Sequence, residues 1–289
     1  MTLSYILLTY FLSADIGLFV HVASFGINYG QVANNLPPPE KVLELLGTLK
    51  ITKTRIYDTN PDILKAFANS NVEIIVTIEN QILNQLNDPQ QALQWVNTNI
   101  KPYLPDTKIT GIQVGNEVFT EIDTTLIQYL VPAVINIHNA LVQLGLESNI
   151  HVSTPSSLEV LEESYPPSAG FNGIEVRVSE TGWPSKGDSD EIGASLENAE
   201  IYNKNLLRRQ MKNEGTPLNP RMRLESYLFA LFNENLKNGP TSERNYGLFE
   251  HDESMTYNVG LSSFAKSSNP STSISLTSSA TRTKVTIMK

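Results

Sequence analysis

Three apolar runs of the 289-residue chain each end in a glutamate, and this pattern constrains the fold more than any other feature. The runs span residues 109–117, 174–180 and 226–234, and their last residues are Glu117, Glu180 and Glu234. A core strand gains nothing from an acid at its tip, because a buried carboxylate must be paired or protonated. If the strands are parallel members of one barrel, their C-terminal ends share a face, and the three carboxylates converge there.

Strand-like and helix-like segments alternate along the chain, which favours parallel β/α architecture over a sandwich or a bundle. Helical segments are marked by apolar residues at three- and four-residue spacing. Seven strands are predicted, at residues 25–30, 52–58, 72–78, 109–117, 150–155, 174–180 and 226–234. We therefore predict an α/β fold, a (β/α)8 TIM barrel. A doubly wound sheet is the alternative, but no Gly-x-Gly-x-x-Gly follows its first strand.

The alternation breaks between the fifth and the sixth predicted strand. The connection passes through Ser164-Tyr-Pro-Pro-Ser-Ala-Gly170, which is short and proline-rich. Parallel neighbours need a crossover of a dozen or more residues, and a closed barrel of this class has eight strands. The sequence thus predicts an incomplete barrel of about seven strands, internally truncated near residues 170–173, in which the sixth β/α unit is missing.

The two ends of the chain differ in composition from the middle. Residues 1–24 are apolar with small residues at their end, which is typical of a secretory signal peptide. Residues 262–289 are rich in Ser and Thr and too polar to fold alone, so a disordered tail is predicted. The barrel domain is expected at residues 25–261, in a protein that is secreted to the cell exterior or wall, with the vacuole as an alternative. No membrane anchor is expected in the mature chain, because the tail lacks a terminal apolar segment.

Charge and residue content narrow the possible partners. The formal net charge is −9, which argues against nucleic-acid binding, because neutralising phosphates requires a basic face. The chain has no cysteine, and its four histidines lack metal-ligand spacing. We therefore expect no metal, no cofactor and a monomer that binds a neutral or cationic partner.

Paired carboxylates at neighbouring strand ends are typical of glycoside cleavage. One acid protonates the leaving oxygen, while a carboxylate about 5 to 5.5 Å away attacks or stabilises the anomeric carbon in retaining enzymes. The residues around the glutamates sharpen this interpretation. The segments Gly115-Asn-Glu-Val118, Ser179-Glu-Thr-Gly-Trp-Pro-Ser185 and Phe232-Asn-Glu-Asn-Leu-Lys237 together resemble glycoside hydrolase family 17, the plant-type β-1,3-glucanases. Matching segments in the same order are Gly26-Ile-Asn-Tyr-Gly30, Arg55-Ile-Tyr57, 239–249 and Tyr257-Asn-Val-Gly260, so the resemblance covers roughly residues 25–260.

The resemblance implies a (β/α)8 barrel that hydrolyses β-1,3-glucan internally with retention of configuration. By motif position, Glu117 matches the acid/base and Glu180 the nucleophile, while Glu234 and Lys237 match a charged pair that supports the site. Lys237 is expected to hold Glu180 or Glu234 ionised, and Glu117 to keep its proton. The matched substrate-binding positions are Asn28, Tyr29, Tyr57, Asn116, Trp183 and Phe232. Of these, Asn116 is expected to bind a sugar 2-hydroxyl. The rings of Tyr57, Trp183 and Phe232 are expected to form the floor of the groove.

Some of these residues have an ordinary structural interpretation. A core indole is the alternative for Trp183, a structural ion pair for Arg55 and a solvated carboxylate for Glu243.

The departure from the family pattern leaves two functional hypotheses. Glu117 and Glu180 are 63 positions apart in the chain, roughly half the separation that the family pattern implies, and the segment that carries a whole β/α unit in the family is absent. The first hypothesis is a secreted endo-β-1,3-glucanase. The second is a catalytically inactive glucan-binding protein, or a misfolded product of an alternative transcript or gene model, since an open barrel exposes strand edges.

Overall fold

The computed structural model describes residues 25–160, 177–216, 220 and 224–261. The predicted signal peptide at 1–24, the predicted tail at 262–289 and the truncation point near 170–173 lie outside the described residues.

Seven parallel strands form one curled sheet, as the sequence predicted. They are β1 (Gly26–Asn28), β2 (Lys53–Arg55), β3 (Glu73–Ile78), β4 (Ile109–Val114), β5 (His151–Ser153), β6 (Val178–Thr181) and β7 (Ser226–Leu228). Their spatial order is β5-β4-β3-β2-β1-β7-β6. The first and last strands of the chain are therefore neighbours, as in a barrel, but β5 and β6 are not paired with each other. The architecture is an incomplete (β/α)8 barrel.

Helices follow the strands. They are α1 (Pro39–Thr48), α2 (Pro61–Ala66), α3 (Pro89–Asn99), α4 (Ile127–Leu144) and α5 (Leu196–Met211). Side chains cap three of them: Asn60 accepts from the Asp62 amide, Asp88 from the Gln90 amide and Ser195 from the Asn198 amide. Short 3₁₀ turns lie at Asn80–Ile82, Gln85–Asn87, Lys101–Tyr103, Thr124–Leu126, Leu158–Val160 and Thr241–Arg244.

The register of the sheet fixes which side chains share a layer inside the barrel. Pairing aligns Asn28 with Arg55, Arg55 with Ile75, Ile75 with Gly111, and Gly111 with His151. Because side chains alternate between the two faces of a sheet, these aligned residues point to the same side. The opposite side of the sheet is apolar and packs on the helices. Fully buried residues are Ile27, Ile74 and Ile112 on the strands and Leu46 and Val96 on the helices.

The two edge strands are less buried than the central ones. Five of the six residues of β3 and of β4 are buried, whereas β5 has none and all four residues of β6 are half-buried. Helix α4, which precedes β5, also exposes Val131, Ile135 and Val142 on its outer face. The exposure lies on the side of the sheet that a further strand and helix would cover in a closed eight-stranded barrel.

One stretch of the described chain, Thr124–Leu144, is long and apolar enough to cross a membrane, with a mean hydropathy of 1.3. It contains α4, whose buried residues Leu130, Ala133, Ile137 and Leu141 belong to the barrel core. A core helix of this length passes the same test, so the stretch is weak support for a membrane span.

Candidate active site

The three strand-end glutamates lie at the C-terminal end of the sheet. Glu180 lies within β6, Glu117 follows β4 by three residues, and Glu234 follows β7. Glu117 and Glu180 line the same open cavity, which has a volume of about 830 Å³. The parallel strands thus bring together two carboxylates that are far apart in the chain.

Arg55, the last residue of β2, connects the two sides of this site. Its guanidinium is fully buried, forms an ion pair with the Glu180 carboxylate, and donates to Asn116 Oδ1 at 2.6 Å. It also lies over the Tyr57 ring, 4.4 Å from the ring centre. Because a guanidinium presents a planar fork of donors, one side chain orients both partners. The structural ion pair is therefore present, and it is made with a residue of the site.

The backbone around Glu117 is held by a residue that sequence reasoning missed. Asn80 accepts a hydrogen bond from the Asn116 amide at 2.7 Å and donates to the Asn116 carbonyl at 2.9 Å. Glu117 itself has a φ of +50°, a region that non-glycine residues rarely adopt. Asn80 follows the buried strand β3, and this polar residue just past a strand end was the available signal.

The surroundings of Glu117 favour its protonated form. Desolvation by the neighbouring atoms raises the pKa of Glu117, and the negative charge of Glu180 raises it further, while Arg55 opposes both effects. Glu180, by contrast, receives the Arg55 guanidinium directly. The two carboxylates of the cavity therefore have different environments, as an acid and an anion of one catalytic pair require.

Lys237 pairs with Glu234 and not with Glu180, which corrects one of the two expectations for this lysine. Its Nζ lies 3.9 Å from the Glu234 carboxylate and 3.3 Å from that of Glu243. The ammonium also lies 4.5 Å from the centre of the Phe229 ring. Glu243 is thus an ion-pair partner, whereas the sequence suggested a solvated carboxylate.

Glu234 is buried against the residues that follow β1. Its Oε1 accepts from the Val32 amide at 2.8 Å, and the side chain packs so closely on Gly30 that a Cβ there would lie 2.3 Å from Glu234 Oε2. Burial raises the pKa of Glu234, while Lys237 and the Val32 amide lower it.

Two of the expected substrate-binding residues lie in the core. Tyr29 and Phe232 are each 2% exposed and pack edge to face at 6.2 Å, and Phe232 also contacts Phe249. A ring that is covered on both sides has no face for a sugar, so the expectation that Phe232 floors a groove was wrong. Asn28 is fully buried as well, and it donates to the Ser179 carbonyl at 3.1 Å, next to Glu180 in β6.

The other two aromatic residues lie nearer the surface. Trp183 is 36% exposed, so it is not a core indole; its Nε1 donates to the Gly193 carbonyl at 2.7 Å, and its ring lies 5.5 Å from that of Tyr202. Tyr57 is half-buried and packs edge to face on Phe229 at 6.3 Å. Among the residues that the structure describes, no group of three or more His, Cys, Asp or Glu side chains is arranged to hold a metal.

Comparisons with known proteins agree with this arrangement. The profile described as glycosyl hydrolases family 17 matches residues 25–173 and 168–261. The chain is 37% identical over 321 residues to glucan endo-1,3-beta-glucosidase 11 of Arabidopsis thaliana, covering 82% of this chain and 75% of that protein. It is 38% identical over 322 residues to glucan endo-1,3-beta-glucosidase 14 of the same plant, covering 83% and 82%.

A solved structure is similar in three dimensions. It is a beta-1,3-glucanase and allergen of Cryptomeria japonica pollen, with a TM-score of 0.79 and 33% identity, over 82% of this chain and 99% of that one.

Proposed function

The chain belongs to family 17 of the glycosyl hydrolases, and from that premise we propose that it cleaves internal β-1,3-glucosidic bonds of β-glucan with retention of configuration. Membership makes it a glycosidase of the β-1,3-glucanase family. The retaining mechanism and the roles of individual residues are the further steps of the proposal.

The observation that carries the proposal is the unequal pair of carboxylates on one cavity. Glu180, ion-paired with Arg55, is the nucleophile that attacks the anomeric carbon, while Glu117 donates its proton to the leaving oxygen. In the second step, Glu117 takes a proton from water, which attacks the same carbon and releases Glu180. Two displacements at one carbon give net retention.

The pKa of Glu117 sets the upper pH limit of the reaction. Only the protonated acid can donate in the first step, so the rate falls as pH rises through this pKa. Because burial and the charge of Glu180 raise the pKa of Glu117 above its ordinary value, the active range extends to higher pH than an exposed glutamate would allow.

We further propose that the chain lacks the sixth β/α unit of its family. The alignment with the first Arabidopsis relative runs over 321 positions, whereas 82% of this chain is about 237 residues, so about 84 positions of the alignment have no counterpart here. Among the described strands, β5 and β6 are the two edges of the sheet and do not pair with each other, which supports the same interpretation. These edges also favour a second candidate function, a glucan-binding protein without turnover.

Secretion is proposed on the composition of residues 1–24 alone, with the cell wall as the destination that gives access to β-1,3-glucan.

The test is hydrolysis of laminarin by the purified secreted chain. The release of reducing sugar measures turnover, and proton NMR identifies the anomeric form of the first product. Retention predicts that the β-anomer appears first. The Glu180→Gln variant serves as the inactive control, and a version with a family-like sixth β/α unit inserted serves as the repaired one. No release by the chain, together with release by the repaired version, would refute catalysis and favour the binding protein.

A further inference from the structure

The turn that follows β4 holds Glu117 in an unusual backbone conformation. Gly115 has a φ of +70° and Glu117 a φ of +50°, so two left-handed residues flank Asn116. Glycine adopts this region freely, but a residue with a side chain rarely does. A Cβ at position 115 would lie 2.6 Å from Val118 Cγ2, so the turn has no room for another residue there. Glu117 therefore keeps its conformation because its surroundings hold it.

Asn80 holds the residue between these two by both of its peptide groups. The Oδ1 of Asn80 accepts from the Asn116 amide at 2.7 Å, and its Nδ2 donates to the Asn116 carbonyl at 2.9 Å. Because each peptide group is planar, binding the one before Asn116 and the one after it fixes the two torsion angles between them. The second of these groups contains the nitrogen of Glu117, so its orientation helps to set the direction in which the Glu117 side chain leaves the backbone.

Glu121 keeps the Asn80 amide in the orientation that this arrangement needs. The Nδ2 of Asn80 also donates to Glu121 Oε1 at 2.9 Å. A carboxylate accepts hydrogen bonds and does not donate them, so it pairs with the nitrogen of the amide and leaves the oxygen for the Asn116 amide. Asn80 is half-buried, which shields these bonds partly from water.

Backbone hydrogen bonds anchor the same turn to two neighbouring strands. The Gly115 amide donates to the Ile78 carbonyl at 2.9 Å, and the Glu117 amide donates to the Pro155 carbonyl at 3.2 Å. Ile78 ends β3, and Pro155 follows β5 by two residues. Neither bond involves the side chain at position 80, so a variant at this position retains them. The effect of that side chain can therefore be measured in a turn that stays attached to the sheet.

The Glu117 carboxyl lies among charged groups. Desolvation raises the pKa of Glu117 most and the charge of Glu180 next; Arg55 lowers it, and the charges of Glu159 and Glu243 raise it slightly. A carboxyl that moves away from Glu180 and towards water loses the two largest of the effects that raise its pKa. The pKa of Glu117 therefore reports whether this side chain is in place.

We propose that Asn80 is a positioning residue of the reaction, which acts through the backbone of Asn116 to hold the Glu117 carboxyl beside Glu180. The inference rests on the proposed function, in which Glu117 donates its proton to the leaving oxygen. Without the Asn80 side chain, Glu117 relaxes to the commoner negative φ and its carboxyl leaves that position. Glu180, which is held by Arg55, keeps its place.

The first test compares kcat/KM of Asn80→Ala on laminarin and on an activated aryl β-glycoside of a β-1,3-gluco-oligosaccharide. For both substrates kcat/KM reports the first step, but the aryl leaving group needs no proton. Asn80→Ala is expected to lower kcat/KM on laminarin about 100-fold, as a misplaced catalytic group does, and to change it little on the aryl glycoside. The alkaline limb of the laminarin profile is expected to move to lower pH, because the released carboxyl is better solvated.

Asn136→Ala is the matched control. Asn136 is a half-buried asparagine of α4 whose Nδ2 also donates to backbone, to the Leu86 carbonyl at 2.9 Å and the Asn87 carbonyl at 3.0 Å. Its replacement is expected to leave the laminarin-to-aryl ratio and the pH profile unchanged. If Asn80→Ala does not fold, Asn80→Gln takes its place, since it carries the same amide one methylene further from the backbone, and the same direction of change is expected.

Carbon-13 NMR titration of the Glu117 carboxyl separates this inference from the proposed hydrolysis. The signal is identified by its absence from Glu117→Gln. A lower pKa of Glu117 in the Asn80 variant, without a change in Asn136→Ala, supports the positioning even where the native chain hydrolyses neither substrate. An unchanged pKa in a folded Asn80 variant would overturn the inference. A native laminarin-to-aryl ratio in that variant would overturn it as well, and would leave the proposed function intact.

Discussion

Replacing Arg55 tests whether one buried guanidinium organises the active site. The Arg55→Lys variant keeps the positive charge but replaces a planar fork by a single ammonium. In the native chain the fork contacts Glu180 through one nitrogen and Asn116 through the other, at 2.6 Å for Asn116. A lysine reaches one of these partners at a time, so the two strand ends lose their common link.

The expected magnitude follows from burial and from the number of bonds. A hydrogen bond to a charged group contributes about 1.5–3 kcal/mol, so Arg55→Lys, which loses one of two, should lower the free energy of unfolding by roughly 1–3 kcal/mol. Arg55→Met removes the charge and leaves Glu180 unpaired. Breaking a fully buried pair costs about 3–5 kcal/mol, and since the Glu180 side chain is 29% exposed, we expect roughly 2–4 kcal/mol.

Arg55→Lys should also impair catalysis in the protein that remains folded. Misplaced catalytic groups lower the rate about 100-fold, which corresponds to an activation free energy that is about 2.7 kcal/mol higher. Urea denaturation measures the change in the free energy of unfolding. The value of kcat/KM on laminarin, determined below the unfolding transition, measures the loss of catalysis. Arg208→Lys, an exposed arginine of α5, is the matched control. An Arg55→Lys protein with native kcat/KM would refute the view that this residue positions Glu180.

Three further predictions concern the glutamates and a glycine. Glu180→Gln should abolish turnover of laminarin. Glu117→Gln should retain turnover of an activated aryl glycoside, whose leaving group needs no proton. If Glu117→Gln lost turnover of the aryl glycoside and of laminarin equally, the assignment would be contradicted. Glu180→Gln should also lower the pKa of Glu117 by removing a neighbouring negative charge, as a carbon-13 NMR titration of that carboxyl would show, and no change would mean that desolvation alone raises it. Gly182→Ala should destabilise the fold by about 3 kcal/mol or more in urea denaturation, because a Cβ there would lie 1.8 Å from the Phe229 carbonyl oxygen, while Gly47→Ala, with nothing within 4 Å, should not.

The sequence predicted the number and the approximate chain positions of the described strands, because strand-like apolar runs alternate with segments of helical spacing. It overestimated their lengths, and β7 shows why. The predicted run 226–234 is continuously apolar from Tyr227 to Phe232, yet the paired strand is Ser226–Leu228. Beyond it, the Ala230 amide donates to the Tyr246 carbonyl and the Leu248 amide to the Ala230 carbonyl, so a loop covers these residues. An apolar run indicates that its residues are buried. It does not indicate which segment of the chain forms hydrogen bonds with their backbone.

The positions of the glutamates were predictable, but their partners were not. A carboxylate at the tip of an apolar strand can be recognised in the chain, and strand order then places Glu117 and Glu180 on one face. Which cation meets which carboxylate depends on the curvature of the sheet and on side-chain reach. For this reason the sequence left Glu180 and Glu234 as alternative partners of Lys237; the lysine pairs with Glu234, and the residue that pairs with Glu180 is Arg55 of β2. The same limit applies to Phe232, since an aromatic motif residue carries no signal of whether its ring faces solvent or core.

The strand order explains how an incomplete barrel can keep its catalytic pair together. Between β4 and β6, the hydrogen-bonded path runs through β3, β2, β1 and β7 and never crosses the open side. Glu117 and Glu180 are thus positioned by the continuous part of the sheet, and Arg55 on β2 links their strand ends across the interior. The unit that we propose is missing between β5 and β6 contributes none of the described residues that hold the carboxylates. The expected consequence is a change in which substrates fit before a change in the chemistry.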